Sequence, residues 1–213
     1  MRVGILGPAK GDLAGLARAA RMLLDDAQVD KVIYLADDGA LDAVVRTWAR
    51  TMVGGNPSEE ALFMRAAARC AEASPEAIDA FVTRERARER LRVLTSLPEG
   101  SRRTIEFLDN RVILFVYDRA ILDEEDIVAA SVLVFGRSVD PQMKRIGSRV
   151  FVAPGRIGWP GAGCGVLDDE GGGGLRIEIR GIDGAVTVQE TMGGGGPLLP
   201  GIKMRVQGGK SSG

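Results

Sequence analysis

The chain has 213 residues, 45% of them hydrophobic and 27% charged, with a formal net charge of −1 and no histidine. That balance supplies apolar material for a core, and it excludes a global field that would draw the protein to nucleic acid or a membrane surface. The missing histidine excludes Ser-His-Asp and Cys-His catalysis and any zinc or di-iron site built on imidazole. Two cysteines, Cys70 and Cys164, fit no metal-ligand spacing and suit a reducing compartment. The N-terminus MRVGILGPAKG lacks a secretory apolar run and a cleavage site, and no stretch approaches the roughly 18 apolar residues of a membrane span. A cytoplasmic location is expected.

Arg2–Leu6 reads as a short apolar strand ending at Gly7, after which Asp12 caps a helix with Leu13, Leu16, Ala17, Ala20, Leu23 and Leu24 on one face. Lys31–Leu35 is a second buried strand, followed by an Asp37-Asp38-Gly39 turn and a helix from about Ala40 to Arg50 that buries Leu41, Val44, Val45 and Trp48. This alternation predicts parallel strands with crossover helices. After Gly54-Gly55-Asn56-Pro57, the starts at Ser58 and at Ser74-Pro75 predict two helices over 58–73 and 75–93. They are read as a helical pair inserted into the sheet protein or laid across it, with Phe63, Met64 and Phe81 packed inside the pair or, if it projects from the sheet body, some of them exposed as a docking surface.

From Thr104 the period changes to that of strands. Thr104–Leu108 and Arg111–Val116 flank an Asp109-Asn110 hairpin turn. A short acidic helix over Asp123–Ala129 precedes a strand at Ser131–Phe135. Arg149–Val152, Gly163–Leu167, Leu175–Ile179 and Ala185–Gln189 then follow at the spacing of a meander, with turns at Gly171–Gly174 and Asp183-Gly184. The glycine-rich stretch 193–213 reads as a flexible tail.

Gly7-Pro8-Ala9-Lys10-Gly11-Asp12 is a glycine-bearing loop between strand and helix, a place where backbone amides can hold a phosphate. Its spacing is neither that of a P-loop nor that of the dinucleotide fingerprint. Thr83–Arg92 (TRERARERLR) carries Arg84, Arg86, Arg88, Arg90 and Arg92 over several helix faces. Glu85 and Glu89 are placed for local pairs with Arg88 and Arg92, so a solvated face is expected there rather than a nucleic-acid contact.

The strand ends fall in a particular order: Gly11-Asp12, Asp37, Gly55-Asn56, Tyr117-Asp118, Gly136-Arg137-Ser138-Val139 and Pro154-Gly155. This order resembles the calcineurin-like metallophosphoesterases, in particular the small bacterial and archaeal phosphodiesterases, from Met1 to about Met192 apart from the helical pair. The resemblance implies an α/β protein with a metallophosphoesterase-like αββα sandwich over 1–192, a helical-pair insertion at 58–93, and a tail at 193–213. The family's Asp-x-His-Gly motif falls on Pro8-Ala9-Lys10-Gly11, so that Pro8 and Lys10 replace its aspartate and histidine. Its Gly-Asp falls on Ala36-Asp37, keeping the aspartate. Its Gly-Asn-x-Asp falls on Gly55-Asn56-Pro57-Ser58, keeping the asparagine and losing the aspartate to Ser58. The later His-Gly falls on Tyr117-Asp118, and Gly-His-Thr-His on Gly136-Arg137-Ser138-Val139, where Arg137 and Val139 replace both histidines. The late Asn-Pro-Gly-Ser turn survives as Ala153-Pro154-Gly155-Arg156.

Of the metal-binding side chains the resemblance implies, only Asp37 and Asn56 stay. Charged Lys10 and Arg137 cannot act as ligands, and they would repel a cation placed among them. No metal or other cofactor is expected. Lys10 or Arg137 can instead offset Asp37, or their long side chains can point to solvent. Lys10, Gly11, Arg137 and Arg156 together are a possible anion site for a phosphate or an acidic residue. The expected function is a catalytically inactive interaction or scaffold module with a protein partner. A residual phosphoesterase with one metal at Asp37 and Asn56, and an anion or nucleotide sensor, are the alternatives. Oligomeric state is open, a homo-oligomer included.

Overall fold

The computed structural model describes residues 1–72, 74–169, 171 and 174–193. Alternation along the strands sets its layers. In β1 (Arg2–Leu6) and β2 (Lys31–Tyr34), Val3, Ile5 and Ile33 face one way, while Leu6, Val32 and Tyr34 face the other. The first set joins a core between two sheets. The second is covered by α1 (Leu13–Arg21), by the π-helical turn Met22–Asp26 that extends it, and by α2 (Ala40–Val53). Beyond these lie α3 (Glu59–Glu72) and α4 (Pro75–Arg90), the latter closing in a 3-10 turn that leads into β3 (Leu94–Ser96).

β3 lies parallel to β2, which lies parallel to β1. On the other side of β1, β9 (Gly163–Asp169), β10 (Leu175–Gly181) and β11 (Val186–Met192) follow antiparallel, which completes a six-stranded sheet in the order β11-β10-β9-β1-β2-β3. The second sheet has five strands. Parallel β5 (Arg111–Val116), β6 (Val132–Phe135) and β8 (Arg149–Ala153) form its centre, edged by β4 (Arg103–Leu108) and β7 (Gln142–Ile146). Ile113, Phe115, Val132, Val134, Val150 and Val152 point inward to the core between the sheets. Leu114, Val116, Leu133 and Phe135 point outward, where the short α5 (Glu124–Ala129) and the turn before it lie. Because each central strand is covered on both faces, its text is a near-continuous apolar run.

These layers are the αββα sandwich expected. Helix and strand starts agree with the text to within a residue or two, including the Asp12 cap, whose carboxylate accepts the Gly15 N–H at 2.8 Å. Several expectations need correction. β3 and β7 were not anticipated, because β3 has only three residues and β7, QMKRI, lacks an apolar run. β8 is no part of the final meander, since it pairs with β6 and β7 in the other sheet. Phe63 and Met64 do not pack inside the helical pair: they are 77% and 75% exposed. Leu13, placed on the apolar face of α1, is also exposed. The tail expected over 193–213 lies outside the described residues from 194 onward. Among the described residues no helix is long and apolar enough to cross a membrane.

Candidate functional site

β1 and β2 in one sheet, and β5, β6 and β8 in the other, deliver loops from their C-terminal ends, the usual place for a site in a parallel α/β sheet. Backbone hydrogen bonds tie those loops into a floor. The Ile157 N–H donates to the Pro8 carbonyl at 3.1 Å, Arg156 N–H to Val139 at 3.0 Å, and Arg137 N–H to Tyr117 at 2.7 Å. Such close crossing needs glycine at two points. A Cβ on Gly7 would lie 1.9 Å from the Gly155 carbonyl oxygen, and one on Gly136 would lie 2.2 Å from that of Leu35.

Above this floor is a cavity of about 370 Å³ lined by Pro8, Lys10, Tyr117, Gly136, Arg137, Ser138, Val139 and Arg156. Lys10 adopts a left-handed backbone with φ +49°, unusual for a residue with a side chain, and its Nζ donates to the Tyr117 hydroxyl at 3.0 Å. Arg137 pairs with Asp118. The Ala120 amide first, and then the Arg137 guanidinium, hold the Asp118 carboxyl below the usual carboxylate range. Arg156 is half-buried at the cavity wall, and its guanidinium has no hydrogen bond or ion pair among the described residues. Among the described residues, then, Arg137 is paired with a carboxylate, Lys10 meets the Tyr117 hydroxyl, and Arg156 has no carboxylate partner.

Six of the positions singled out in the text therefore meet in one place: Pro8, Lys10, Tyr117, Arg137, Val139 and Arg156. Four do not join them. Asp37 is not offset by Lys10 or Arg137, because it pairs with Arg102 at 2.7 Å. Asn56 and Ser58 are spent on starting α3: the Asn56 side chain accepts the Ser58 N–H at 3.0 Å, and Ser58 Oγ accepts the Ala61 N–H at 3.2 Å. Gly11 has φ +93° and makes the turn into α1 without lining the cavity. Arg102 was missed, and Gly136 and Ser138, quoted within the strand-end motif, were not singled out as site residues although they line the cavity. Arg102 carries no signal in the text, because it follows β3, whose presence had to be known first.

Beneath the first loop, the Ala9 N–H donates to the Tyr34 hydroxyl at 3.1 Å, and that hydroxyl donates to Asp38 Oδ1 at 3.0 Å. Burial, above all, pushes the Tyr34 phenol upward, so it stays protonated and holds the two loops together. Burial likewise pushes the Cys164 thiol up to about 12, which makes it no nucleophile at neutral pH.

Metallophosphoesterases imply a pair of divalent cations, and the donor set does not fit them. The cavity wall offers an ammonium, two guanidiniums and a phenol, while Asp118 nearby is already committed to Arg137. Among the described residues no group of three or more His, Cys, Asp or Glu side chains is placed to hold a metal ion. A cation about 4 Å from one of these charges would meet a repulsion of about 4 kcal/mol even at an effective dielectric of about 20.

The fold and the strand-end cavity define an α/β protein with two packed sheets, helices on their outer faces and a site at the C-terminal strand ends. Among solved structures the chain is similar to a conserved protein from Streptococcus pneumoniae described as a predicted phosphoesterase, at 11% identity and TM-score 0.49, over 91% of this chain and 98% of that one. It is also similar to Vps29 from Chaetomium thermophilum, at 14% identity and TM-score 0.48, over 91% and 99%. An archaeal phosphodiesterase follows at 15% identity and TM-score 0.46, over 80% and 95%. No family model and no curated protein matches the chain. At such identities the likeness concerns architecture, and the chemistry of the site is read from its own side chains.

Proposed function

We propose that this protein is a metallophosphoesterase-like binding module that has no phosphoesterase chemistry of its own and acts through contacts with a protein partner. The charge of the strand-end cavity carries the reading: Lys10 and Arg137 stand where the resemblance calls for histidine ligands, and Arg156 lines the same cavity. Asp37 and Asn56, the two side chains retained, are engaged with Arg102 and with the start of α3. That engagement also weighs against a residual one-metal enzyme at these two positions. The test is metal content by mass spectrometry, combined with phosphodiesterase and phosphomonoesterase assays in added manganese. No bound metal and no turnover are expected; stoichiometric metal with turnover lost in Asp37→Ala would overturn the reading.

Arg156 favours a second reading, in which the cavity is an anion site for a phosphate-bearing ligand. A half-buried guanidinium without a partner is a costly group, and a phosphate oxygen is a geometry it suits. Thermal-shift measurements with phosphate, sulfate and nucleotides should then give stabilisation that Arg156→Ala abolishes. No shift with any of them sinks this reading and leaves the first intact.

A further inference from the structure

We propose that the groove between α2 and α4 is a docking site for an acidic amphipathic helix of a partner protein. The proposal rests on the binding-module reading but concerns a surface well apart in sequence from the cavity loops. α4 reaches the body of the protein without burying a single residue of its own. Between it, α2 and the turn after α1 lies a groove of about 580 Å³. Its floor is apolar, formed by Leu24, Trp48 and Met52, and its rim carries Arg21, Arg86 and Arg90.

Charge identifies the occupant. Away from the groove, Arg88 pairs with Glu85 at 2.6 Å and Arg92 with Glu89 at 2.6 Å, while Arg84 donates to the Ala80 carbonyl of its own helix at 3.0 Å. The rim differs. Arg86 is exposed and has no hydrogen bond or ion pair among the described residues. Arg21 lies 5.0 Å from the centre of the Trp48 ring and has no carboxylate partner among the described residues. Arg90 reaches only Asp25, at 3.9 Å, and the Leu24 carbonyl. Three guanidiniums thus face one carboxylate around an apolar floor. A complementary segment presents large apolar side chains at helical spacing to Trp48 and Met52, with Asp or Glu on both flanks for Arg21 and Arg86.

Trp48 is the reporter. The chain has two tryptophans, so Trp159→Phe leaves Trp48 alone. The probe is a synthetic helix of about four turns with leucines along one face and glutamates flanking them. Two control peptides replace the glutamates by lysines or scramble the order. Expected are a saturable change in Trp48 emission with the glutamate peptide, no such change with either control, and a Kd raised about tenfold or more by Arg86→Glu. Arg86→Ala, which removes the charge without reversing it, should fall between. Because Arg86 is exposed and unpartnered, an unchanged thermal midpoint is expected for both variants. The proposal is overturned if the glutamate peptide gives no saturable change, or if the lysine or scrambled peptide binds as tightly. It is also overturned if both Arg86 variants bind like the parent, or if decanoate saturates the signal and the peptide does not. None of these outcomes bears on metal content or turnover, so the two proposals fail separately.

Discussion

Helix α1, the π-helical turn that extends it and α2 bury Leu16, Leu23 and Leu41 completely beneath the six-stranded sheet, whereas no described residue of α3 or α4 is buried and Phe63 and Met64 of α3 stand in solvent. The pair is held by charge instead. Arg65 and Arg88 grip Glu85 from two sides, at 2.8 Å and 2.6 Å, with side-chain exposures of 18%, 10% and 13% for Arg65, Arg88 and Glu85. One chain therefore contains a sandwich held by apolar burial, which is non-directional and grows with area, and an appended pair held by a few directional contacts. The difference predicts two levels of stability, a global one set between the sheets and a lower local one for the pair.

The largest effect should come from the core between the sheets. Phe115 is fully buried there, opposite strands of the first sheet. Phe115→Ala removes a ring that cannot be replaced by neighbours and should cost about 3–5 kcal/mol. Urea unfolding followed by far-UV circular dichroism checks this. A loss below about 1 kcal/mol would mean that the sheets do not depend on each other for stability.

What the text showed in advance follows the same division. Strands with two apolar faces, such as β1 and β5, announce themselves because every residue must avoid water. β3 is only three residues long, and β7 has an exposed edge, so neither imposes a pattern. The cavity was legible at Lys10, Tyr117, Arg137 and Arg156 because each stands just past a strand with a strong signal. Asp37 also follows a strand with a strong signal, β2, but its partner could not be read. Its partner Arg102 is 65 positions away (102 − 37), on a loop whose course depends on β3. The helical pair was legible as helices, through Ser58 and Ser74, yet not in its packing. An apolar residue on a helix predicts burial only if another element covers it, and nothing described covers Phe63 or Met64.

Glu85 tests the charge-held region. Burial pushes its carboxyl up, but hydrogen bonds from Arg88 and Arg65 outweigh that and leave it below its usual value. A lowered folded value means that its stabilisation is present above the unfolded carboxylate pKa and is lost as pH falls through the folded one. Hydrogen exchange in α4 should therefore accelerate on acidification below the ordinary carboxylate range, before the sandwich itself opens. Glu85→Gln should weaken α4 by about 1.5–3 kcal/mol at neutral pH and remove most of that pH dependence. If Glu85→Gln instead lowers the global unfolding midpoint as much as it lowers α4 protection, the pair and the sandwich are one cooperative unit.

The smallest effect sharpens the same point at a single cap. Ser74 Oγ accepts the Ala77 N–H at 3.2 Å, and Pro75 follows at the first position of α4, where its missing N–H costs nothing. Since α4 has no buried apolar face to hold its start in place, the cap is one of the few contacts that specify where the helix begins. Ser74→Ala should cost about 1 kcal/mol, read as faster exchange in the first turns of α4. Asp12 caps α1 in the same way, accepting the Gly15 N–H, but α1 is also anchored by Leu16, Ala19 and Ala20. Asp12→Ala should therefore leave α1 protected while Ser74→Ala frays α4. Equal fraying of the two helices would mean that local capping, rather than burial, sets helix stability throughout this chain.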